Sequence, residues 1–93
     1  LITNEQWEEF RIEIDKVYPL FFTKLNQKLK HTTPAAERLA SLILLAFNEN
    51  QIALTLGKSK ESVLRSKRRL RSALGISSGD SLTEYLTGLA QEV

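Results

Sequence analysis

The sequence predicts an all-α fold, a helix-turn-helix bundle of four helices preceded by an N-terminal helical extension. Apolar residues recur at three- and four-residue spacing along most of the 93-residue chain, which is the spacing of one helix face. Capping residues precede these segments, glycines follow several of them, and no stretch reads convincingly as a strand. We assign the extension to residues 1–31 and the helix-turn-helix domain to residues 32–93.

The extension contains two predicted helical segments. The first covers residues 4–17 and opens with Thr3-x-x-Gln6, the pattern of a capping box. The residue before a proline avoids the helical region, so Tyr18-Pro19 breaks the helix and Pro19 can begin the second segment. The predicted buried residues are Trp7, Phe10, Ile14 and Val17 in the first segment and Leu20, Phe21, Phe22, Leu25 and Leu29 in the second. Their helical spacing favours a core over an aromatic surface that stacks on bases.

The helix-turn-helix domain begins with a strong helix start and an apolar helix. Thr33-Pro34 offers an N-cap followed by proline in the first helical position. A helix that is apolar nearly all round suits the middle of a bundle; its apolar residues are Leu39, Leu42, Ile43, Leu45 and Ala46. Asn48-x-x-Gln51 is a second capping box and opens a short helix that Gly57 ends.

Two further helices complete the domain. Ser59 can cap a helix over residues 60–74, which Gly75 ends. The loop SSGDS (77–81) then provides Asp80 or Ser81 as the cap of the last helix, and Ser81-x-x-Glu84 would be a third capping box. The predicted buried side of that helix consists of Leu82, Tyr85, Leu86 and Leu89.

Positive charge is concentrated in one element. The formal net charge is only +2, but residues 58–75 hold seven basic side chains and one acid, Glu61. Residues 1–30 hold five acids and five bases, and residues 76–93 hold three acids and no base. This distribution indicates a surface directed at a negative partner. A solvated face balanced by acids is less favoured, because a Glu61–Arg65 pair would neutralise only one of the seven charges.

The basic helix has two distinct faces. At about 100° per residue, Val63, Leu70 and Leu74 fall in a narrow sector that faces the core, whereas Arg65 and Arg68 point nearly opposite. The order of a buried helix, a short helix, a tight turn and this basic helix is the helix-turn-helix plan. In that plan the last helix lies in the DNA major groove.

The ordered motifs resemble the LuxR/FixJ-type (GerE-like) DNA-binding domain. They are Thr33-Pro34, FNENQIA (47–53), LGKS (56–59), Ser62-Val63, ALGI (73–76) and SLTEYL (81–86). The leading segment WEEFRIEIDKVYPLFFTKL (7–25) is similar to the lead-in of a variant common in Bacteroidetes sensor-regulators. In those proteins the output domain lies at the C-terminus behind a tetratricopeptide or propeller sensor, often with a membrane span between.

The resemblance also implies residue roles. Residues placed at base edges are Leu64, Arg65 and Arg68; residues placed at phosphates are Lys58, Lys60, Ser62, Arg69 and Arg71. Three positions depart from the family. Leu64 stands where lysine is common and suits a thymine methyl group, Ala36 stands where glutamate is usual, and Ser66 replaces a frequent histidine. These departures concern sequence preference rather than the fold.

We therefore expect sequence-specific binding of double-stranded DNA by the output domain of a bacterial transcription regulator, as in the response regulators of two-component signalling. A homodimer formed through residues 81–90 or through the first helix would double the site. A sensor domain of the parent chain and RNA polymerase are the other expected partners. The alternative is a protein-interaction helix-turn-helix module, similar to a sigma-factor domain or binding an acidic partner.

The sequence patterns of several function classes are absent from the chain. Cysteine is absent, His31 is the only histidine, and neither a nucleophile elbow nor a glycine-rich phosphate loop is present. We expect no enzyme activity, no metal and no cofactor. The chain has no membrane-spanning apolar run and no signal peptide pattern, so we expect a cytoplasmic domain without membrane contact. Because it begins Leu-Ile-Thr and lacks Met, we expect a domain excised from a longer, membrane-anchored or free regulator.

Overall fold

The structure is a computed structural model that describes residues 2–77 and 79–91. These residues form six α-helices and no strand, so the all-α prediction is confirmed. The helices are α1 Asn4–Val17, α2 Phe21–Lys28, α3 Pro34–Leu44, α4 Glu49–Leu56, α5 Lys60–Ala73 and α6 Leu82–Gln91. Ser78, in the predicted loop before α6, lies outside the described residues. None of the helices in the described ranges combines the length and the hydropathy needed to cross a membrane.

Two of the three predicted capping boxes form; at Ser81-x-x-Glu84 only the bond from the Glu84 N–H to the Ser81 hydroxyl is present. The Thr3 hydroxyl accepts the N–H of Gln6 at 3.1 Å, and the Gln6 side chain accepts the N–H of Thr3 at 2.8 Å. Asn48 and Gln51 repeat this exchange at 2.9 and 2.8 Å at the start of α4. Each box satisfies two N–H groups that a helix start otherwise leaves unbonded, which fixes the first residues of α1 and α4.

Single hydroxyl caps begin three more helices. Thr33 accepts from the N–H of Ala36 at 3.1 Å, with Pro34 in the first helical position as predicted. Ser59 accepts from the N–H of Ser62 at 3.2 Å. Of the two candidate caps before α6, Ser81 accepts the N–H of Glu84 at 3.1 Å, while the Asp80 carboxylate accepts from the Ser77 hydroxyl.

The end of α3 differs from the prediction. The helix stops at Leu44, and Ala46 adopts a left-handed conformation with φ +65°. The N–H of Ala46 bonds to Ile43 O at 2.9 Å, and the N–H of Phe47 bonds to Leu42 O at 3.1 Å, which is the Schellman arrangement. Phe47 packs against the core, so the chain turns to bring that ring inward. The prediction that the apolar helix includes Leu45 and Ala46 is therefore wrong; both lie after its end and are exposed.

The connection between α1 and α2 also differs. Pro19 and Leu20 form a turn in which the N–H of Phe21 bonds to Tyr18 O at 3.1 Å, so Pro19 does not begin α2. Leu20 is 46% exposed because it precedes the helix and does not follow its periodicity. Val17, the last residue of α1, is 67% exposed where the chain turns away. The prediction that these two residues lie in the core is wrong.

The core is shared between the extension and the helix-turn-helix segment. Helix α3 packs against α5 and α6, and α2 packs against α6. The most deeply buried large side chains are Phe21, Leu25, Leu42, Ile43, Ile52, Leu86 and Val63. Burial of a side chain of this size stabilises the fold by about 1.5–3 kcal/mol. Because α2 contributes two of these residues, the extension and the helix-turn-helix segment share one apolar core.

Helix α1 is held on this core by two arginines. Arg11 Nη1 lies 2.6 Å from Glu37 Oε1, and the Arg11 guanidinium lies 4.3 Å from the centre of the Phe22 ring. The Arg38 guanidinium lies 5.1 Å from the centre of the Trp7 ring, within the range of a cation–π contact. Trp7 and Ile14 are the buried residues of α1. The N-terminal helix is therefore docked on α3 by polar as well as apolar contacts.

Candidate nucleic-acid interface

Helices α4 and α5 are joined by a tight turn and pack directly against each other. Gly57 has φ +66°, a conformation that costs glycine little. The N–H of Lys58 bonds back to Ala53 O at 3.0 Å, and Ser59 then caps α5. Ile52 on α4 and Val63 on α5 are both completely or almost completely buried. The turn and this packing fix the direction in which α5 presents its outer face.

The outer face of α5 carries the predicted base-reading residues. Leu64, Arg65 and Arg68 are all exposed. On the opposite side Val63 and Leu70 are 1% and 5% exposed, so the division of α5 into a core face and an outward face is confirmed. The two arginines lie three residues apart, nearly one turn, and project side by side from the helix. The Leu64 side chain, 37% exposed, borders them.

Most of the basic residues in this region are unpaired in the described part of the chain. Five of the seven are exposed, and their side chains form no ion pair or hydrogen bond there: Lys58, Lys60, Arg65, Arg68 and Arg69. Glu61 and Arg65, considered as a pair from the sequence, do not form an ion pair with an N–O distance within 4 Å in the described part of the chain. The positive charge of α5 is therefore directed at solvent rather than neutralised within the domain.

Lys67 is one of the two exceptions, and its role was not visible in the sequence. Its Nζ lies 2.9 Å from Glu49 Oε1, and both side chains are partly buried. The hydrogen bond from Lys67 lowers the pKa of the Glu49 carboxyl from its ordinary value of 4.5; a backbone hydrogen bond and the charge of Lys67 add to this. The partners are 18 residues apart, so only the packing of α4 on α5 brings them together. Lys67 thus holds the two helices rather than facing outward.

Arg71 is the other exception. Its Nη1 donates to Ser77 O at 3.2 Å and to Asp80 O. The guanidinium therefore ties the end of α5 to the loop before α6. The phosphate role expected for Arg71 requires one of its remaining N–H groups, because a guanidinium has five. Ser62, also expected at phosphate, is partly buried in the first turn of α5.

The start of α5 adds polar groups to the same surface. The Ser59 hydroxyl accepts only the N–H of Ser62. The N–H groups of Lys60 and Glu61 have no partner inside the helix, as in any first turn. Such groups suit phosphate oxygens, and the nearby Lys58 and Lys60 are both exposed. The start of α5 can therefore hold a phosphate while Arg65 and Arg68 lie further along.

The described ranges offer no metal site as an alternative to this surface. They contain no group of three or more His, Asp or Glu residues placed to hold a metal ion. Compared with known proteins, the chain matches no family model, no curated protein and no solved structure. The resemblance to the LuxR/FixJ-type domain is therefore an interpretation of the sequence motifs alone.

Proposed function

We propose that this domain binds duplex DNA in a sequence-specific manner, as the output module of a bacterial transcription regulator of the LuxR/FixJ type. The observation that carries the proposal is the group of five exposed, unpaired cations on and just before α5, the second helix of a helix-turn-helix arrangement. A helix with this outer face fits a major groove about 12 Å wide. We assign the domain no catalytic step.

The proposed binding has two parts. Lys58, Lys60 and Arg69, with Ser62 and the start of α5, contact phosphates and release counterions. Arg65 and Arg68 reach base edges, where an arginine can bind the O6 and N7 atoms of one guanine. The exposed part of Leu64 gives an apolar contact that suits a thymine methyl group. Phosphate contacts supply affinity and position, and base contacts supply specificity.

A second protomer would double the site into a palindrome. The large apolar residues of α6 are buried inside the domain, including Leu82, Leu86 and Leu89. By contrast, α1 exposes Ile12 and Val17, at 53% and 67%. Of the two dimer surfaces expected from the sequence, α1 therefore retains more apolar area for a partner.

The experiment that tests the proposal is selection of duplexes from a random pool, followed by fluorescence anisotropy on the selected duplex and on a scrambled one at the same salt concentration. We expect preference for the selected duplex by about a hundredfold, or roughly 3 kcal/mol. A module that binds an acidic protein should bind all duplexes with similar affinity, because every duplex presents a similar density of negative charge. Equal binding to both duplexes would therefore favour the protein-interaction alternative.

A further inference from the structure

A groove of about 230 Å³ opens on one side of α5, between that helix, the first turns of α3 and the chain that leads into α3. Its floor is formed by buried apolar residues, among them Leu29, Leu39, Val63 and Leu70. Lys58 and Arg69 also line it, and both are exposed, so their charged ends reach solvent at its mouth. The groove thus combines an apolar interior with a cationic edge.

The polar groups of the groove favour an anion. None of the described residues that line it is acidic, while Lys58 and Arg69 each contribute a positive charge. His31 and Ser66 line it too and can form hydrogen bonds. An anionic group at the mouth could pair with Lys58 or Arg69, and neither cation has an ion-pair partner in the described chain. A neutral apolar ligand would leave these cations unused.

The size of the groove limits the ligand. An apolar protein cavity of about 150 Å³ is enough to hold benzene, whereas sites for drug-sized ligands begin at about 300 Å³. At about 230 Å³ the groove fits one or two fused rings, or a short branched acyl chain. The matching ligand is therefore small, largely apolar and negatively charged at one end.

The groove also adjoins the proposed DNA surface. Around α5, Arg69 lies between the outward sector of Arg65 and Arg68 and the groove sector of Ser66 and Ala73. Lys58 and Arg69 are two of the five unpaired cations, and both are assigned to phosphate contact. A carboxylate held at the mouth of the groove would compete with DNA phosphate for the cation that it contacts.

We propose that this groove binds a small carboxylate with an apolar body, and that the bound carboxylate weakens DNA binding. The binding site stands on the geometry of the groove alone. The effect on DNA rests on the proposed function, because it requires Lys58 and Arg69 to contact phosphate. The affinity for DNA would then depend on whether the small carboxylate occupies the groove beside α5.

The test uses the 93-residue chain and 1-naphthoate as the probe, with the neutral 1-naphthalenemethanol for comparison. Binding is followed by backbone amide shifts in NMR at constant ionic strength. We expect saturable shifts around the groove with naphthoate and several-fold weaker binding of the alcohol. Ala73→Leu fills the groove from an exposed position and should abolish these shifts. Thr23→Leu, at an exposed position of α2 outside the groove, should leave them unchanged.

A second variant keeps the test independent of how Ala73→Leu packs. Arg69→Gln should weaken naphthoate binding and leave binding of the alcohol unchanged, because only the anion uses that charge. In the DNA assay, saturating naphthoate should raise the dissociation constant of the wild type several-fold, and sodium acetate at the same ionic strength should not. The Ala73→Leu protein should bind DNA equally with and without naphthoate.

The outcomes separate the two claims. Absence of saturable naphthoate binding, or equal binding by Ala73→Leu, overturns the site. Saturable binding with unchanged DNA affinity overturns the coupling. Failure of the ligand-free protein to distinguish duplexes overturns the proposed function, and this appears in the arm that contains no naphthoate.

Discussion

Glu49 at the start of α4 and Lys67 in the middle of α5 form a 2.9 Å ion pair that joins the two helices of the helix-turn-helix unit. Lys67 lies on the basic helix, yet its charge is used inside the domain. The cations of α5 therefore fall into two groups. One group, which includes Lys67, forms contacts inside the domain. The other group, which includes Arg65 and Arg68, faces solvent.

The first prediction concerns the pH dependence of this pair. Because the Glu49 pKa is lowered in the folded state, its contribution to stability is present above the ordinary value of 4.5 and is lost as pH falls through the lower folded pKa. Glu49→Gln should cost about 0.5–1 kcal/mol of unfolding free energy at pH 7. Urea unfolding at a series of pH values should show the difference from wild type shrinking as pH falls below 4.5.

The control for this prediction is Glu13→Gln, which breaks the Lys16 pair on α1. Both partners of that pair are about two-thirds exposed, so solvent screens it and the change should be smaller. A Glu49→Gln effect that stayed constant from neutral to acid pH would contradict the assignment.

The second prediction concerns the left-handed residue that ends α3. Ala46 adopts φ +65°, a region that costs a residue with a Cβ roughly 1–2 kcal/mol. Ala46→Gly removes that strain but gives the unfolded chain more freedom, so we expect a gain of about 0.5–1 kcal/mol. The measurement is the midpoint of urea unfolding at constant m-value.

Gly75 provides the reverse test at the end of α5. It has φ +70°, and an added Cβ would meet nothing within 4 Å. Gly75→Ala should therefore lose about 1 kcal/mol from backbone strain alone. If neither variant differed from wild type in stability, the left-handed turns would not be maintained in solution.

The third prediction concerns the docking of α1. Trp7, on α1, is the only tryptophan and is 6% exposed. Its fluorescence therefore reports on the docking of α1. If α1 and the helix-turn-helix segment unfold as one unit, fluorescence and far-ultraviolet circular dichroism should give the same urea transition. Trp7→Ala should destabilise by about 3–5 kcal/mol, followed by circular dichroism.

Val17→Ala is the matched control for this helix, because Val17 is 67% exposed and the change should stay within about 0.5 kcal/mol. An earlier fluorescence transition, with most of the circular dichroism signal retained, would show that α1 unfolds separately from the rest of the domain.

The fourth prediction separates the two groups of cations by salt dependence. Lys58 is exposed and unpaired in the described chain, so Lys58→Gln should reduce the slope of log affinity against log salt by about one. Lys67→Gln should leave this slope nearly unchanged, because Lys67 is paired with Glu49. DNA titrations over a series of salt concentrations provide both slopes; the opposite order would contradict the assignment of Lys67 to the inside of the domain.

The helix starts could be predicted from sequence because their chemistry is local. A capping box needs only two side chains three residues apart, and two of the three predicted boxes form completely. The end of α3 could not be predicted in this way. Its left-handed residue is Ala46 rather than a glycine, and the turn is set by the packing of Phe47 on the core.

The candidate site shows the same contrast between local and distant determinants. The outward direction of Arg65 and Arg68 follows from helical periodicity and the buried positions of Val63 and Leu70. Lys67 pairs with Glu49, and Arg71 donates to the carbonyl oxygens of Ser77 and Asp80. These partners lie outside α5, so the periodicity of α5 does not indicate them. The groove beside α5 requires three separate segments to meet, so no local pattern indicated it.

If Arg65 and Arg68 contact base edges, they determine the ratio of affinities for the selected and the scrambled duplex. Three double variants are compared with wild type by anisotropy at one salt concentration. Arg65→Ala/Arg68→Ala removes both side chains, and Arg65→Lys/Arg68→Lys keeps the charge but not the planar fork that binds a guanine. Lys28→Ala/Lys30→Ala removes two exposed charges outside α5.

We expect each arginine to contribute about 1–3 kcal/mol on the specific site. The alanine variant should lose the preference and some overall affinity. The lysine variant should lose the preference while retaining its affinity for the scrambled duplex. The Lys28/Lys30 variant should keep the wild-type ratio. An unchanged ratio in both arginine variants would contradict base reading by α5.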